Sequence, residues 1–258
     1  MHLSNVRPTL LTVNGVRFDS EAREGFTIPP DGLRGWTDPV ASEVRDVSRE
    51  GAPGSFALPT VLGSRLISVS GLCHASSPET LNEFGHRLAG LGADGEPMRL
   101  VVKHAGQTHW VDAYRGASHE FNPYPALHRA QYAFDFWCPD PLKYGELREY
   151  VSTGSNVTAW HRGNFHAAPL FKITGFVNGY RIVGPGGTYT VEGPKASSTV
   201  DEIDFSTGMF TRGGVPSPRA VTQAHVWGVP PGTETTWRVE PLTSGTGQAR
   251  MFLTDTSA

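Results

Sequence analysis

The sequence has little of what marks several protein classes. Its 258 residues include only two cysteines, Cys73 and Cys138, far apart and each in apolar surroundings. This does not indicate a disulfide framework, and we expect two buried free thiols. Charged residues make up 18% of the chain and the formal net charge is -3. The excess of basic residues that nucleic-acid binding requires is therefore missing.

Long apolar runs are also missing. No stretch of about 18 apolar residues occurs, and the first residues, Met-His-Leu-Ser-Asn-Val-Arg-Pro, contain no apolar segment of a secretory signal. We therefore expect synthesis in a cytoplasm and no membrane insertion. Glycine and proline, by contrast, number 30 and 20. That abundance is typical of many short strands joined by turns, and it predicts a mainly β protein.

Residues 1–150 are predicted to form one β domain with a short helix. Val13-Asn14-Gly15-Val16 is typical of a hairpin with a type I′ turn. Ser77 and Pro78 are expected to begin a helix whose apolar stripe is Leu81, Phe84, Leu88 and Leu91, with Gly90 and Gly92 at its end. The predicted strands are 43–49, 65–72, 99–104, 109–115 and 129–138.

The segment 131–145 closes this domain. Tyr132, Phe134, Phe136 and Cys138 alternate with other residues, which predicts a strand with one buried face. The following Pro-Asp-Pro corner must end the pairing, because proline provides no ladder donor. Trp137 faces the other way, so we expect it to pack either under a second domain or against a neighbouring subunit.

Residues 151–258 are predicted to form the second domain, with the boundary near Tyr150. Residues 146–159 are polar and rich in serine and threonine, so no strand is predicted there. The predicted strands are 170–177, 180–183, 188–192, 199–205, 209–212, 222–229, 235–240 and 249–254. Short strands at this spacing indicate a jelly-roll or galectin-like sandwich. The fold class predicted is thus mainly β, with two β-sandwich-type domains.

Two patterns suggest ligand sites but lack the arrangement of residues that such sites require. Residues 90–95 fit the dinucleotide pattern G-x-G-x-x-G, but here a helix precedes the glycines and a strand follows, the reverse of what a pyrophosphate needs. His104 and His109 are five residues apart, as are His161 and His166. On a strand that spacing puts the two rings on opposite faces, so we expect solvated histidines and no metal or cofactor.

Asp201, Glu202 and Asp204 form the strongest catalytic candidate. Paired carboxylates cleave glycosidic bonds, and a hydrolase is one hypothesis that rests on this cluster alone. Acidic residues beside a hairpin more often only solvate it, and no other catalytic pattern is present. We therefore predict that the protein is not an enzyme and assign no catalytic residues.

Trp160, Trp227 and Trp237 provide another alternative. Apolar ring faces stack on sugars, so the second domain is alternatively a carbohydrate- or cell-wall-binding module without catalysis. Packing in the hydrophobic core is the simpler expectation for these tryptophans.

The order of motifs resembles siphophage distal tail proteins along nearly the whole chain. It comprises the Val-Asn-Gly-Val hairpin, Val44-Arg45-Asp46, the strand from Arg65, a short helix and the Phe-Asp-Phe-Trp-Cys-Pro-Asp-Pro corner. In the second half, Gly163-Asn164, Ala168-Pro169-Leu170, the hairpin from Ile203 to Gly208 and Val229-Pro230-Pro231-Gly232-Thr233 continue the likeness.

This resemblance implies a structural virion protein located at the phage tail tip. Such a protein forms a ring, in this family of six copies, that joins the tail tube to the baseplate and acts as a hub. The implied partners are other copies of the chain, the major tail tube protein, the tape measure protein, and tail-tip and receptor-binding proteins. The N-terminal domains would form the ring and the C-terminal domains would project outward.

Overall fold

The structure is a computed structural model that describes residues 9–43, 46–56 and 58–258. It is mainly β, as predicted, and falls into two compact units. One unit extends to Lys143 and the other spans Tyr144–Ser257. Tyr150, where the sequence predicted the boundary, lies further along the chain inside a strand.

The first unit is built on a closed sheet. Within the described residues, its strands follow the order β10-β7-β3-β2-β1-β8-β9, and β9 also pairs with β10. The elements are β1 (Leu10–Val13), β2 (Val16–Asp19), β3 (Gly25–Thr27), β4 (Leu33–Arg34), β5 (Ser42–Glu43), β6 (Val61–Leu62), β7 (Arg65–His74), α1 (Pro78–Gly90), β8 (Met98–His104), β9 (Gln107–Tyr124) and β10 (Arg129–Cys138).

Strand β9 closes this sheet because it pairs with both β8 and β10. Its residues 107–113 pair with β8, and its residues 114–124 pair with β10, with a register shift between Phe134 and Phe136. The predicted strand 109–115 is therefore only part of a much longer one. The sequence predicted a sandwich-type arrangement for this unit; the strand order is a closed sheet instead.

The helix α1 agrees with its prediction. Ser77 accepts a hydrogen bond from the Thr80 amide, Pro78 occupies the first turn, and Leu81 and Leu88 are buried. The capping hydroxyl satisfies one of the amides that a helix N-terminus leaves without an intrahelical partner. Burial of the two leucines then fixes α1 against the core of the unit.

Strand β10 also begins and ends at the predicted residues. Tyr132, Phe134, Phe136 and Cys138 are all buried in the core, and Trp137 on the other face is exposed. Both cysteines are free and buried, as predicted. Burial raises the pKa of the Cys73 thiol to about 12 and that of the Cys138 thiol also to about 12.

The described residues between 42 and 62, which leave out 44, 45 and 57, form an exposed hairpin that we call the arm. β5 pairs with β6, and further along the Phe56 amide donates to the Val47 carbonyl at 2.9 Å and the Arg49 amide donates to the Gly54 carbonyl at 3.0 Å. The predicted strand 43–49 is wrong as a sheet strand: Glu43 ends β5, residues 44 and 45 lie outside the described residues, and Ser48 makes only an isolated bridge to Ser55. The described residues of this segment, Glu43 and 46–49, are all exposed.

The second unit, described throughout, has two sheets. One has the order β11-β21-β13-β16-β17-β18 and the other β12-β20-β14-β15-β19. The strands are β11 (Lys143–Val151), β12 (Asn156–Trp160), β13 (Leu170–Gly175), β14 (Tyr180–Gly184), β15 (Gly187–Val191), β16 (Asp201–Asp204), β17 (Met209–Arg212), β18 (Val215–Pro216), β19 (Val221–Ala224), β20 (Glu234–Pro241) and β21 (Gly247–Ser257).

The polar segment 146–159, in which no strand was predicted, contains most of β11 and β12. Val157 and Ala159 of β12 are buried while Asn156, Thr158 and Trp160 are exposed, so one face of a mostly polar strand still reaches the core. The predicted strand 222–229 ends early, at Ala224. Both sheets bury side chains in one core, which includes Phe171, Tyr189 and Trp237.

Candidate functional site

The acidic cluster of the second unit does not form a catalytic pair. The carboxylate of Asp201 is fully buried and lies 3.0 Å from Nε of Arg212 and 3.2 Å from Nζ of Lys195, which is also buried. Burial lowers the pKa of Lys195, although the ion pair with Asp201 raises it. Both cations pair with this buried carboxylate, so its removal would leave an uncompensated charge in the interior.

The other two carboxylates have separate partners. Glu202 lies on the opposite face of β16 and pairs with Lys172 at 3.0 Å. Asp204 accepts hydrogen bonds from the amide and hydroxyl of Ser206 and the hydroxyl of Thr207. Burial raises the pKa of Asp204, but these hydrogen bonds outweigh it and bring the pKa below its ordinary value. No two of the three carboxylates face each other across a cleft, so the hydrolase hypothesis gains no support.

The histidine expectations need two corrections. A turn at Ala105 and Gly106 separates His104 from His109, so they lie on adjacent strands; His109 pairs with Val102, which puts both rings on the same face. His104 is engaged, with Nδ1 2.9 Å from Oγ1 of Thr9. The prediction of opposite faces was wrong because it took the segment as one strand.

His161 was expected to be solvated and is instead fully buried. Its Nε2 donates to the Phe165 carbonyl at 2.5 Å, and its Nδ1 accepts the Gly163 amide at 3.3 Å. His166 is exposed. In the part of the chain that the structure describes, no group of three or more His, Cys, Asp and Glu side chains is placed to hold a metal ion.

The glycine pattern and the tryptophans also have structural roles. Gly90 is the last residue of α1, and residues 91–95 lie between α1 and β8, as expected. Trp237 is fully buried, Trp160 is exposed on the outer face of β12, and the ring of Trp227 packs so closely on Gly186 that an added Cβ would lie 2.5 Å from it. The three rings therefore do not form one sugar-stacking platform.

The second unit has an apolar pocket of about 360 Å³. Its floor includes the buried Tyr189 and Phe210, and the exposed Met209 lies at its rim. The remaining lining residues are Gly208, Pro216, Pro218, Val221 and Ala224. Tyr189 is the one lining side chain with a polar group, which is fewer than the several polar groups that usually orient a sugar.

A buried arginine, which sequence reasoning missed, fixes the base of the arm. Nη1 of Arg65 donates to the carbonyls of Gly35 at 2.6 Å and Asp38 at 3.1 Å, and its Nε donates to the Pro141 carbonyl at 2.8 Å. Lys143 donates to the Trp36 carbonyl at 3.1 Å. Burial lowers the pKa of Arg65, and burial together with the charge of Arg65 lowers the pKa of Lys143.

The described part of the arm is exposed as far as Val61. Every described residue from Ser42 to Val61 is exposed, and these include the apolar residues Val47, Phe56, Leu58 and Val61, with Phe56 at 55%. Sequence reasoning missed this feature because the alternation in residues 43–49 was taken for a half-buried strand. The Gly-Ala-Pro-Gly run at 51–54 was the available indication of a hairpin tip.

A second exposed apolar feature crosses the outer face of the closed sheet. Trp137 of β10 is directly opposite Leu66 of β7 on one side and Tyr114 of β9 on the other. Leu66 is 52% exposed and Trp137 44%, and the rings of Tyr114 and Trp137 lie 5.9 Å apart. We call these three residues the stripe. Arrangements such as the arm and the stripe favour contact with another protein over chemistry.

In the described part of the chain, no helix is both long and apolar enough to span a bilayer. No protein-family model matches the chain, and no curated protein matches its sequence. Solved structures do match in fold.

The Dit protein of phage SPP1, presented as a paradigm of the hub adsorption apparatus in phages that infect Gram-positive bacteria, matches with a TM-score of 0.73 and 13% identity. The match covers 96% of this chain and 98% of that chain. Two activated-state structures of the phage P2 baseplate, with Ca and with Sr, match at 9% identity each with TM-scores of 0.48 and 0.41; the matches cover 95% and 94% of this chain, and 97% of the other chain in both cases. We base no argument on these two. The first match shows that the chain shares the fold of SPP1 Dit, and it confirms in fold the resemblance that the sequence predicted.

Proposed function

We propose that this chain is a structural hub protein at the distal end of a phage tail. The observation on which the proposal rests is the match to SPP1 Dit, which extends over both compact units and almost the full length of both chains. The separate partners of Asp201, Glu202 and Asp204 favour a non-enzymatic role. The proposed location is the virion, at the tail tip.

In finer detail, we propose that the first unit forms a ring of six copies and that the second unit projects from it. The ring would join the tail tube protein and the tape measure protein to the tail-tip and receptor-binding proteins. A closed ring needs heterologous contacts, in which one surface of a subunit meets a different surface of the next. The arm and the stripe are two such unlike surfaces.

Native mass spectrometry of the purified protein tests the ring directly. The expected result is a species of six copies of the 27.9 kDa chain, alone or on addition of the tail tube protein of the same phage. Electron microscopy of that species should then show a ring with an open centre. A chain that stays monomeric under both conditions contradicts the proposal.

The carbohydrate-binding alternative predicts a different outcome. It requires binding to surface glycans by a monomer, and it would need a site other than Trp160, Trp227 and Trp237, which do not share a face. A glycan array probed with the full chain distinguishes the two functions. We keep the hub as the function that the fold supports best.

A further inference from the structure

One turn of the first unit joins an exposed asparagine to an unhindered glycine. β1 and β2 pair with Val13 opposite Val16, so Asn14 and Gly15 form the turn between them, with φ of 44° and 78°. Both turn residues are exposed, and nothing lies within 4 Å of the position that a Cβ of Gly15 would occupy. In the described part of the chain, no group accepts a hydrogen bond from the Gly15 amide.

The free amide distinguishes this turn from three similar places in the chain. Asparagine or aspartate precedes glycine four times in the sequence, and in the other three pairs the glycine amide donates to a backbone carbonyl. The bonds run from Gly32 to Pro29 at 2.9 Å, from Gly95 to Gly92 at 3.3 Å and from Gly179 to Phe176 at 3.1 Å. Of the four glycine nitrogens, that of Gly15 is the one available for reaction.

The second Asn-Gly pair is a matched comparison within the same chain. Valine precedes Asn178, as it precedes Asn14, and both asparagines are exposed. Gly179, however, is buried, and a Cβ there would lie 2.6 Å from the carbonyl oxygen of Val191. The two pairs therefore differ in how the fold surrounds the glycine, and not in the residue that precedes the asparagine.

We propose that Asn14 is a site of spontaneous deamidation, and that the fold protects Asn178 from the same reaction. Asparagine is among the thermolabile residues. After a rotation about the Asn14 backbone, the deprotonated Gly15 nitrogen bonds to Cγ of Asn14, the Cγ–Nδ2 bond breaks, and ammonia leaves with the proton. Water then opens the succinimide ring at either carbonyl, which gives aspartate or isoaspartate. The reaction consumes one water, releases one ammonia and needs no oxidant or reductant.

Isoaspartate at position 14 has a structural consequence, because it adds one main-chain atom to a two-residue turn. The turn type and length set the register of a hairpin, and here the register places Leu11, Val13 and Phe18 in the core. The longer turn should therefore weaken the packing of these side chains. This inference does not depend on the proposed hub function.

Peptide mapping by mass spectrometry tests the proposal on the full chain, incubated folded at about pH 8 and about 37 °C, where conversion adds about 1 Da to a peptide. Trypsin cleaves after Arg17 and after Arg181, so the two asparagines lie in different peptides. We expect Asn14 to convert at least about fivefold faster than Asn178, because the Gly179 amide must first lose its hydrogen bond. In concentrated urea the two rates should agree within about twofold, since the unfolded chain removes that protection.

Asn14→Gly is the matched variant, because glycine tolerates the positive φ of the turn and has no side-chain amide. After the same incubation, the urea midpoint of the wild-type chain should fall while that of Asn14→Gly stays unchanged. Folded chains in which Asn14 reacts no faster than Asn178 overturn the proposal. A rate difference that persists in urea also overturns it, because the fold would not be its cause. An equal fall in the midpoint of Asn14→Gly overturns the consequence drawn for the hairpin.

Discussion

At the scale of single residues, Arg65 links local chemistry to the architecture of the first unit. It is a buried cation held by four backbone carbonyls and by no carboxylate among the described residues, so the hydrogen bonds of its Nε and Nη1 replace part of the water it has lost. Those carbonyls belong to segments far apart in the sequence, the loop 35–38 and the Pro-Asp-Pro corner. One side chain thus fixes both the entry to the arm and the end of β10.

Replacing Arg65 with methionine should therefore be costly. We expect Arg65→Met to lower the free energy of unfolding by about 3 kcal/mol, since hydrogen bonds to charged groups contribute about 1.5 to 3 kcal/mol each and methionine retains some packing. Urea denaturation followed by fluorescence measures the change. Lys103→Met, at an exposed lysine of β8, is the matched control and should change the value by no more than about 0.5 kcal/mol. Equal effects of the two variants would contradict the role given to Arg65.

Asp201 offers the parallel test in the second unit. Asp201→Asn leaves the buried ammonium of Lys195 without its counter-ion, and we expect a loss of about 3 to 5 kcal/mol in unfolding free energy. Glu202→Gln is the control, because the Lys172 pair is partly exposed and should contribute no more than about 1 kcal/mol. A loss no larger than that of Glu202→Gln would show that the buried pair of Asp201 and Lys195 does not contribute to stability as expected.

At the scale of elements, the hairpin of β16 and β17 depends on the ionised form of Asp204. Its carboxylate accepts from Ser206 and Thr207, and the turn ends at Gly208, whose φ of 72° favours glycine. The pKa of Asp204 is below its ordinary value in the folded protein. Its contribution to stability is therefore fully present above the unfolded pKa and is lost as the pH falls through the folded pKa.

The corresponding measurement compares the wild-type chain with Asp204→Asn across pH. The difference in unfolding free energy should be constant above about pH 5 and should shrink as the pH falls below the ordinary aspartate pKa of about 3.9. Thermal denaturation at each pH provides the values. A difference that stays the same down to about pH 2, below the ordinary range of aspartate, would show that the charge of Asp204 plays no part.

An element was predicted correctly from the sequence when its local residue pattern agreed with the tertiary contacts that the element makes. The strand 129–138 and the helix from Pro78 were predicted correctly because alternation, proline and a capping serine all act locally. The arm was mistaken for a sheet strand because alternation cannot show that both faces are exposed. β11 and β12 were missed because their burial comes from strands distant in sequence.

At the scale of the whole molecule, the fold match covers almost all of SPP1 Dit. The surfaces that we propose for assembly of this chain into a ring are, by contrast, local and apolar. Phe56 and Leu66 were not predicted as exposed apolar residues, since spacing alone does not show which side chains of a hairpin or a sheet face stay uncovered. Only Trp137 was singled out from the sequence, as an aromatic residue on the face of the strand opposite its predicted buried face. Interfaces resemble ordinary surface in composition, which is why the rest was not visible.

A ring assembled through apolar surfaces such as the arm and the stripe should tolerate salt. We expect the ring population to be the same at about 50 mM and about 500 mM NaCl within about twofold, because screening weakens exposed ion pairs and leaves apolar burial intact. Sedimentation velocity at the two concentrations measures it. Dissociation at the higher concentration would instead point to a contact made by charged residues.

The double pairing of β9 has a consequence for how the chain is made. The sheet of the first unit closes only when β10 joins β7 to the second half of β9, and β10 is the last strand of that unit to be synthesised. Until Cys138 has emerged from the ribosome, β7 and β9 both lack β10 as a neighbour. The nascent chain then exposes hydrogen-bonding strand edges that can pair with other chains. Premature termination before β10 should therefore yield aggregation-prone fragments. The Pro-Asp-Pro corner comes immediately after β10, the strand whose pairing covers the exposed edges of β7 and β9.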